Sequence, residues 1–184
     1  MKNPILMIID MQQGMSWSQA GVRNNPDAEK NIGILLTHWR ANHGKVVHVH
    51  HHSTEPDSLF WPEQEGVLVQ PDFLPLDSEH CVKKSVPDAF TYSDLADWLT
   101  SKHADALVIV GVSTNNSVES TVRSAGNLGF NTYVVESACF AFEKNDFDGR
   151  ARSAEEVHAM SLANLDGEYA SVITKTDALL LCKQ

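Results

Sequence analysis

The run Ala106-Leu107-Val108-Ile109-Val110 is apolar at every position and stops at Gly111. A half-buried strand alternates apolar with polar residues. A strand that is apolar throughout must be covered on both faces, an arrangement found almost only in parallel sheets between two layers of helices. Ile5-Leu6-Met7-Ile8-Ile9, closed by Asp10, is a second run of the same kind. Such strands need helical crossovers, and the intervening segments supply them.

Ile32, Leu35, Leu36 and Trp39 recur at helical spacing, opened by Asn25-Pro26 and stopped near Gly44. Leu95, Trp98 and Leu99 mark a helix over 93–102, and Val118, Thr121, Val122, Ala125 and Leu128 another, ended by Gly129. Ser153-Ala154-Glu155-Glu156 is a capping box that opens a fourth, and a short helix closes the chain. Strands are expected at 5–9, 45–50, 80–83, 106–110, 132–135 and 171–174. This alternation predicts an α/β fold: one doubly wound domain over 1–184, with a six-stranded, mostly parallel sheet in the order 3-2-1-4-5-6 and helices on both faces. Residues 51–79, with Pro56, Pro62, Pro71 and Pro75, read as a long ordered loop of the kind that usually serves function.

Composition narrows the function. No stretch of about 18 apolar residues is present, so no membrane association is expected. The first residues lack the apolar core and cleavage site of a signal peptide. Net charge is −10 and the basic residues are scattered, which argues against nucleic acid as a partner. Cys81, Cys139 and Cys182 are odd in number and irregularly spaced, as for reduced thiols in a cytosol; the protein is read as cytoplasmic.

Ligands of open α/β sheets bind beyond the carboxyl ends of the strands. That rule selects Asp10, the histidines His50, His51 and His52, Lys84, and the turn 111–117. Each has a bland alternative. Asp10 could cap a loop, Lys84 could be a solvated charge, and Ser117 or Asn116 could be the N-cap of the next helix. A helix N-terminus also favours a thiolate or an oxyanion at that point.

Three motifs resemble the isochorismatase-like cysteine hydrolase family over nearly the whole chain: Ile8-Ile9-Asp10-Met11-Gln12, Lys84-Ser85-Val86-Pro87-Asp88-Ala89-Phe90, and Gly111-Val112-Ser113-Thr114-Asn115-Asn116-Ser117-Val118-Glu119-Ser120-Thr121. The resemblance implies a catalytic triad of Asp10, Lys84 and position 117. It also implies a cis peptide at Val112-Ser113 and an oxyanion hole from the amides of Ser113 and Ser117. The implied reaction is hydrolysis of a small amide or related C–N bond, with no cofactor and with family members commonly forming homo-oligomers. The departure lies at the decisive atom, because Ser117 stands where the family carries its nucleophilic cysteine. A hydroxyl is far less acidic than a thiol, so little turnover is expected. Three readings of Ser117 stay open: a replacement that traps substrate, a member that only binds its ligand, or a branch that cleaves a vinyl ether without cysteine.

The expected partner is a small-molecule substrate. The loop from His51 to Trp61 is expected over the pocket mouth, with His51, Ser53, Trp61, Phe90 and Phe142 as its walls. Trp61 and Phe142 serve equally well as core or subunit contacts, and Phe140-Ala141-Phe142 with Phe147 are candidates for a subunit interface. His48, His50 and His52 alternate as on one face of a strand. The metal-binding pattern of the nicotinamidase branch is incomplete here, so no metal is expected and the histidines are read as hydrogen-bonding to substrate.

Overall fold

The computed structural model describes residues 4–183. Six parallel strands form its sheet: β1 (Ile5–Ile9), β2 (Val46–His51), β3 (His80–Lys84), β4 (Ala106–Val112), β5 (Asn131–Phe140) and, last in the chain, β8 (Ser171–Ile173). Their order is β3-β2-β1-β4-β5-β8, which is the expected order. A two-stranded antiparallel hairpin, β6 (Lys144–Asn145) with β7 (Ala151–Arg152), lies outside the sheet and was not expected from the sequence. The helices are α1 (Ala28–Ala41), α2 (Leu95–Ser101), α3 (Glu119–Asn127), α4 (Ala154–Leu165) and α5 (Lys175–Leu181). Among the described residues, no helix is long and apolar enough to cross a membrane.

Side-chain alternation divides each apolar strand between two cores. Leu6 and Ile8 of β1 join Val108, Val110 and Val112 of β4 under α1 and α5. Ile5, Met7 and Ile9 join Leu107 and Ile109 under α2, α3 and α4. This is why neither run needed a polar residue. Trp39 is the largest side chain of the first core, and its indole Nε1 donates to Pro4 O at 2.8 Å, so its burial leaves no donor unpaired.

The order of connections reverses between β1 and β4, so their carboxyl ends flank the crevice where such sheets bind ligands. Gly111 lets β4 pack closely on β1 at that point. It has φ of 123° and lies so close to β1 that an added Cβ would fall 2.1 Å from Ile9 O. The pairing of β4 with β5 shifts register between Ile109 and Gly111, and β5 continues to Phe140, beyond the expected end at 135.

Two expectations need correction. Asn25 does not cap α1: the N-cap is Asp27, and Asn25 adopts φ of 46° while its Nδ2 donates to Glu136 O and Cys139 O. Its amide ties a loop to β5 instead of starting a helix. Phe140 and Ala141 cannot form a subunit surface, because both are fully buried at the end of β5. Phe147, at the tip of the β6–β7 hairpin, is 98% exposed.

Candidate active site

Asp10 follows the last residue of β1 and is 1% exposed; its φ of 52° turns the chain sharply at the sheet edge. Aspartate tolerates the left-handed region better than most residues. Its main-chain N–H donates to Val49 O at 2.8 Å, which fixes the turn against β2. Lys84 ends β3, two strands away, and is 3% exposed. Its Nζ donates to Asp10 Oδ2 at 2.8 Å and to Ser117 Oγ at 3.1 Å. Three residues far apart in the chain therefore meet at the carboxyl edge of the sheet. Taking two charges out of water costs several kcal/mol per ion, so a buried pair like this one does not by itself signify stability.

Ser117 sits in a single π-helical turn, Thr114–Val118, that leads from β4 into α3. The peptide between Val112 and Ser113 is cis. The N-cap position of α3 is Val118, and no side chain caps either the turn or the helix. Ser117 therefore does not cap a helix: its hydroxyl is bonded to Lys84 and is 6% exposed.

The turn is gripped from behind by α4. Thr114 Oγ1 and His158 Nδ1 are hydrogen-bonded at 2.8 Å, and Ser161 Oγ lies 2.9 Å from Thr114 O and 2.7 Å from Glu119 Oε2. Burial lowers the pKa of His158 below the usual imidazole range, against a smaller opposing pull from Glu155. Neither His158 nor Ser161 was singled out from the sequence. Their signal is helical spacing: His158, Ser161 and Leu165 share the buried face of α4. A cavity of about 740 Å³ lies among this turn, α4 and the β6–β7 hairpin, lined by Asn115, Glu119, Lys144, Met160 and Asn164 among others; Ser117 does not line it.

The other candidates are distributed over three regions. His51, the last residue of β2, lies opposite Lys84 in the pairing of β2 with β3. Its main chain is clamped by Gln12, whose Oε1 accepts from His51 N at 2.7 Å and whose Nε2 donates to His51 O at 2.8 Å. Ser53 closes a turn in the following loop: its Oγ accepts from Glu55 N at 3.0 Å, and its own N–H donates to Phe60 O. Trp61 is half-buried in that loop. Phe90 stacks on Phe130 with centroids 6.2 Å apart, and Phe130 precedes β5, at the amino edge of the sheet. Phe142 packs edge-on against Phe140 at 5.7 Å, beside the first core.

The alternating histidines have separate environments. His48 Nε2 donates to Glu79 Oε2 at 2.9 Å, and burial lowers its pKa despite that carboxylate. His50 is pushed down to about 4, chiefly by burial and then by the neighbouring His48. Among the described residues, no group of three or more His, Cys, Asp or Glu is arranged to hold a metal ion.

A parallel sheet with an acid, an amine and a hydroxyl converging at its switch point defines an α/β protein with a candidate catalytic centre. The chain belongs to the isochorismatase family: the Isochorismatase domain matches residues 4–177. A Bacillus subtilis relative described as an uncharacterized isochorismatase family protein, YrdC, is 36% identical over 175 residues, covering 95% of this chain and 93% of that one. A solved structure from Chromobacterium violaceum, assigned to the same family, superposes with a TM-score of 0.94 at 46% identity, covering 98% of this chain and 93% of the other. Maleamate amidohydrolase of Pseudomonas putida is 28% identical over 105 residues, which is 57% of this chain and 44% of that protein.

Proposed function

We propose that this isochorismatase-family hydrolase acts on a small amide or a related C–N bond, with Asp10, Lys84 and position 117 as its triad. The observation that carries this reading is the lysine bridge, in which one buried Nζ bonds both the carboxylate and the hydroxyl. In that reading the group at 117 attacks the carbonyl carbon. The amides of Ser113 and Ser117 receive the developing oxyanion, and Lys84 offsets negative charge on the nucleophile. Asp10 accepts the nucleophile's proton and delivers it to the leaving nitrogen, and water then releases the acyl group. The similarity to maleamate amidohydrolase supports an amide as the scissile group.

Ser117 limits this chemistry. A thiol beside a lysine and a helix start ionises readily, whereas a hydroxyl there keeps its proton, and a carboxylate is a weak base toward it. The expected outcome is that Ser117→Cys raises turnover of small amides such as maleamate by roughly 10²-fold or more, with a transient acyl adduct at position 117 seen by mass spectrometry. Inertness of both forms toward a panel of small amides overturns the reading in favour of a ligand-binding protein.

The hydroxyl at 117 favours one second reading, a cysteine-independent ether hydrolase. Cleavage of a vinyl ether needs an acid and a water but no thiolate, and Asp10 is the acid available. In that case the native chain cleaves isochorismate, and Ser117→Cys brings no gain.

A further inference from the structure

Two buried side-chain polar atoms lack a hydrogen-bond partner among the described residues: Asp10 Oδ1 and His51 Nδ1. Both belong to the carboxyl edge of the sheet. His51 is paired across from Lys84, and its imidazole lies within electrostatic reach of both Lys84 and Asp10. Buried polar atoms are nearly always bonded, so two unbonded ones in one place mark where another molecule completes the set.

The fold holds His51 in place. Gln12 is fully buried and bonds both the N–H and the carbonyl of His51, while its Nε2 also donates to Val67 O at 2.8 Å. One glutamine thus fixes the end of β2 to the loop above it. The ring of Phe60 meets the imidazole edge-on at 6.0 Å. The imidazole is only partly buried as a whole, so its buried Nδ1 edge is the one turned inward. Burial holds its pKa below the usual range and the charge of Lys84 adds to this, so the ring is neutral at neutral pH. A neutral imidazole nitrogen offers a lone pair or an N–H according to tautomer, and an amide group presents the complement of either.

We infer that His51 is a specificity-determining residue whose Nδ1 hydrogen-bonds the amide group of the bound substrate beside Asp10 Oδ1, with Gln12 as the positioning residue that sets its main chain. The inference rests on the hydrolase reading of the Asp10–Lys84–Ser117 site, and its test separates the two.

The test uses Ser117→Cys and two thiol-alkylating probes, each of which forms a C–S bond and releases iodide. Iodoacetamide carries an amide group; iodomethane carries no hydrogen-bonding group. Peptide mass spectrometry follows the thiol at position 117 against Cys81, which is exposed and serves as an internal reference, whereas Cys139 and Cys182 are buried. The thiol at 117 is expected to react about ten-fold faster than Cys81 with both probes. Adding His51→Leu lowers its iodoacetamide rate about ten-fold, the effect of one hydrogen bond, and leaves the iodomethane rate within about two-fold. His51→Asn, which keeps a polar atom, recovers most of the loss and serves also if the leucine variant fails to fold; Gln12→Met falls between. An equal fall with both probes, or no fall with either, overturns the role of His51 while leaving the hydrolase reading intact. A thiol at 117 no more reactive than Cys81 overturns both.

Discussion

Two carboxylates are buried at opposite edges of the same sheet, and they differ in how fully they are satisfied. Glu79, just before β3 at the amino edge, receives Arg40 Nε at 2.8 Å on Oε1, and Arg40 Nη2 at 2.8 Å, Leu76 N at 2.9 Å and His48 Nε2 at 2.9 Å on Oε2. Despite burial, these donors, the Arg40 guanidinium first among them, hold its carboxyl at about 2. Asp10, at the carboxyl edge, has one bond to Lys84 and an oxygen with no partner, and Lys84 directs a second bond to Ser117. A saturated network of this kind holds the fold together. An unsaturated one costs stability and is useful only when something binds to it.

The largest expected effect follows from breaking the open cluster. Lys84→Met leaves Asp10 buried and unpaired, and is expected to lower unfolding free energy by about 3–5 kcal/mol in denaturant titrations. In the Ser117→Cys background it also reduces amide turnover by roughly 10³-fold, because the nucleophile loses its counter-charge. Adding Asp10→Asn removes the stranded charge, so stability returns while activity does not. If the double variant regains turnover, Lys84 and Asp10 are a structural pair and the contrast with Glu79 disappears.

The closed cluster should respond in the opposite way. Glu79→Gln is expected to cost about 2–3 kcal/mol of stability, since Arg40 and His48 lose a charged acceptor, and to leave turnover of the Ser117→Cys enzyme within about two-fold. It also changes the response to acid. A carboxyl whose pKa falls from an ordinary 4.5 to about 2 on folding contributes stability that is complete above 4.5 and is lost as pH drops toward 2. Unfolding free energy measured across that interval should be flatter in Glu79→Gln than in the parent. A slope of equal steepness would mean that another carboxyl carries the acid response.

How much of this could be read from the sequence depends on whether the cause was local. The runs at Ile5 to Ile9 and Ala106 to Val110 declared a doubly covered sheet, because every residue in them had a core to enter. The Ser153 capping box was legible for the same reason, its two reciprocal bonds lying within four residues. Asn25 misled because its amide is used by carbonyls more than a hundred residues away. The extension of β5 was hidden by polar Glu136 and Ser137 at the register shift, and β6 and β7 are too short to show a period. At the site, the strand-end rule selected Asp10 and Lys84 as candidates, but only the fold shows one lysine bridging to position 117. The role of Gln12 is not legible in its motif, since its partners are main-chain atoms of His51 and Val67 and carry no side-chain signature.

The smallest expected effect tests whether the open cluster depends on support from outside it. Ser161 on α4 touches neither Asp10 nor Lys84 in any hydrogen bond, yet its hydroxyl holds Thr114 O and Glu119 Oε2 at the two ends of the turn that carries Ser117. Ser161→Ala removes about one hydrogen bond, so a loss of about 1 kcal/mol and a fall of roughly 2–4 °C in Tm are expected. The turn is then free to shift by fractions of an ångström. Misplacement of a reacting atom is far more costly to rate than to stability, so turnover of the Ser117→Cys enzyme should fall by about three- to ten-fold with KM nearly constant. Glu79→Gln inverts that ratio, with a larger stability loss and little kinetic effect. If Ser161→Ala loses stability but keeps its kcat, the turn is rigid without α4, and the geometry around Ser117 is set by β4 and α3 alone.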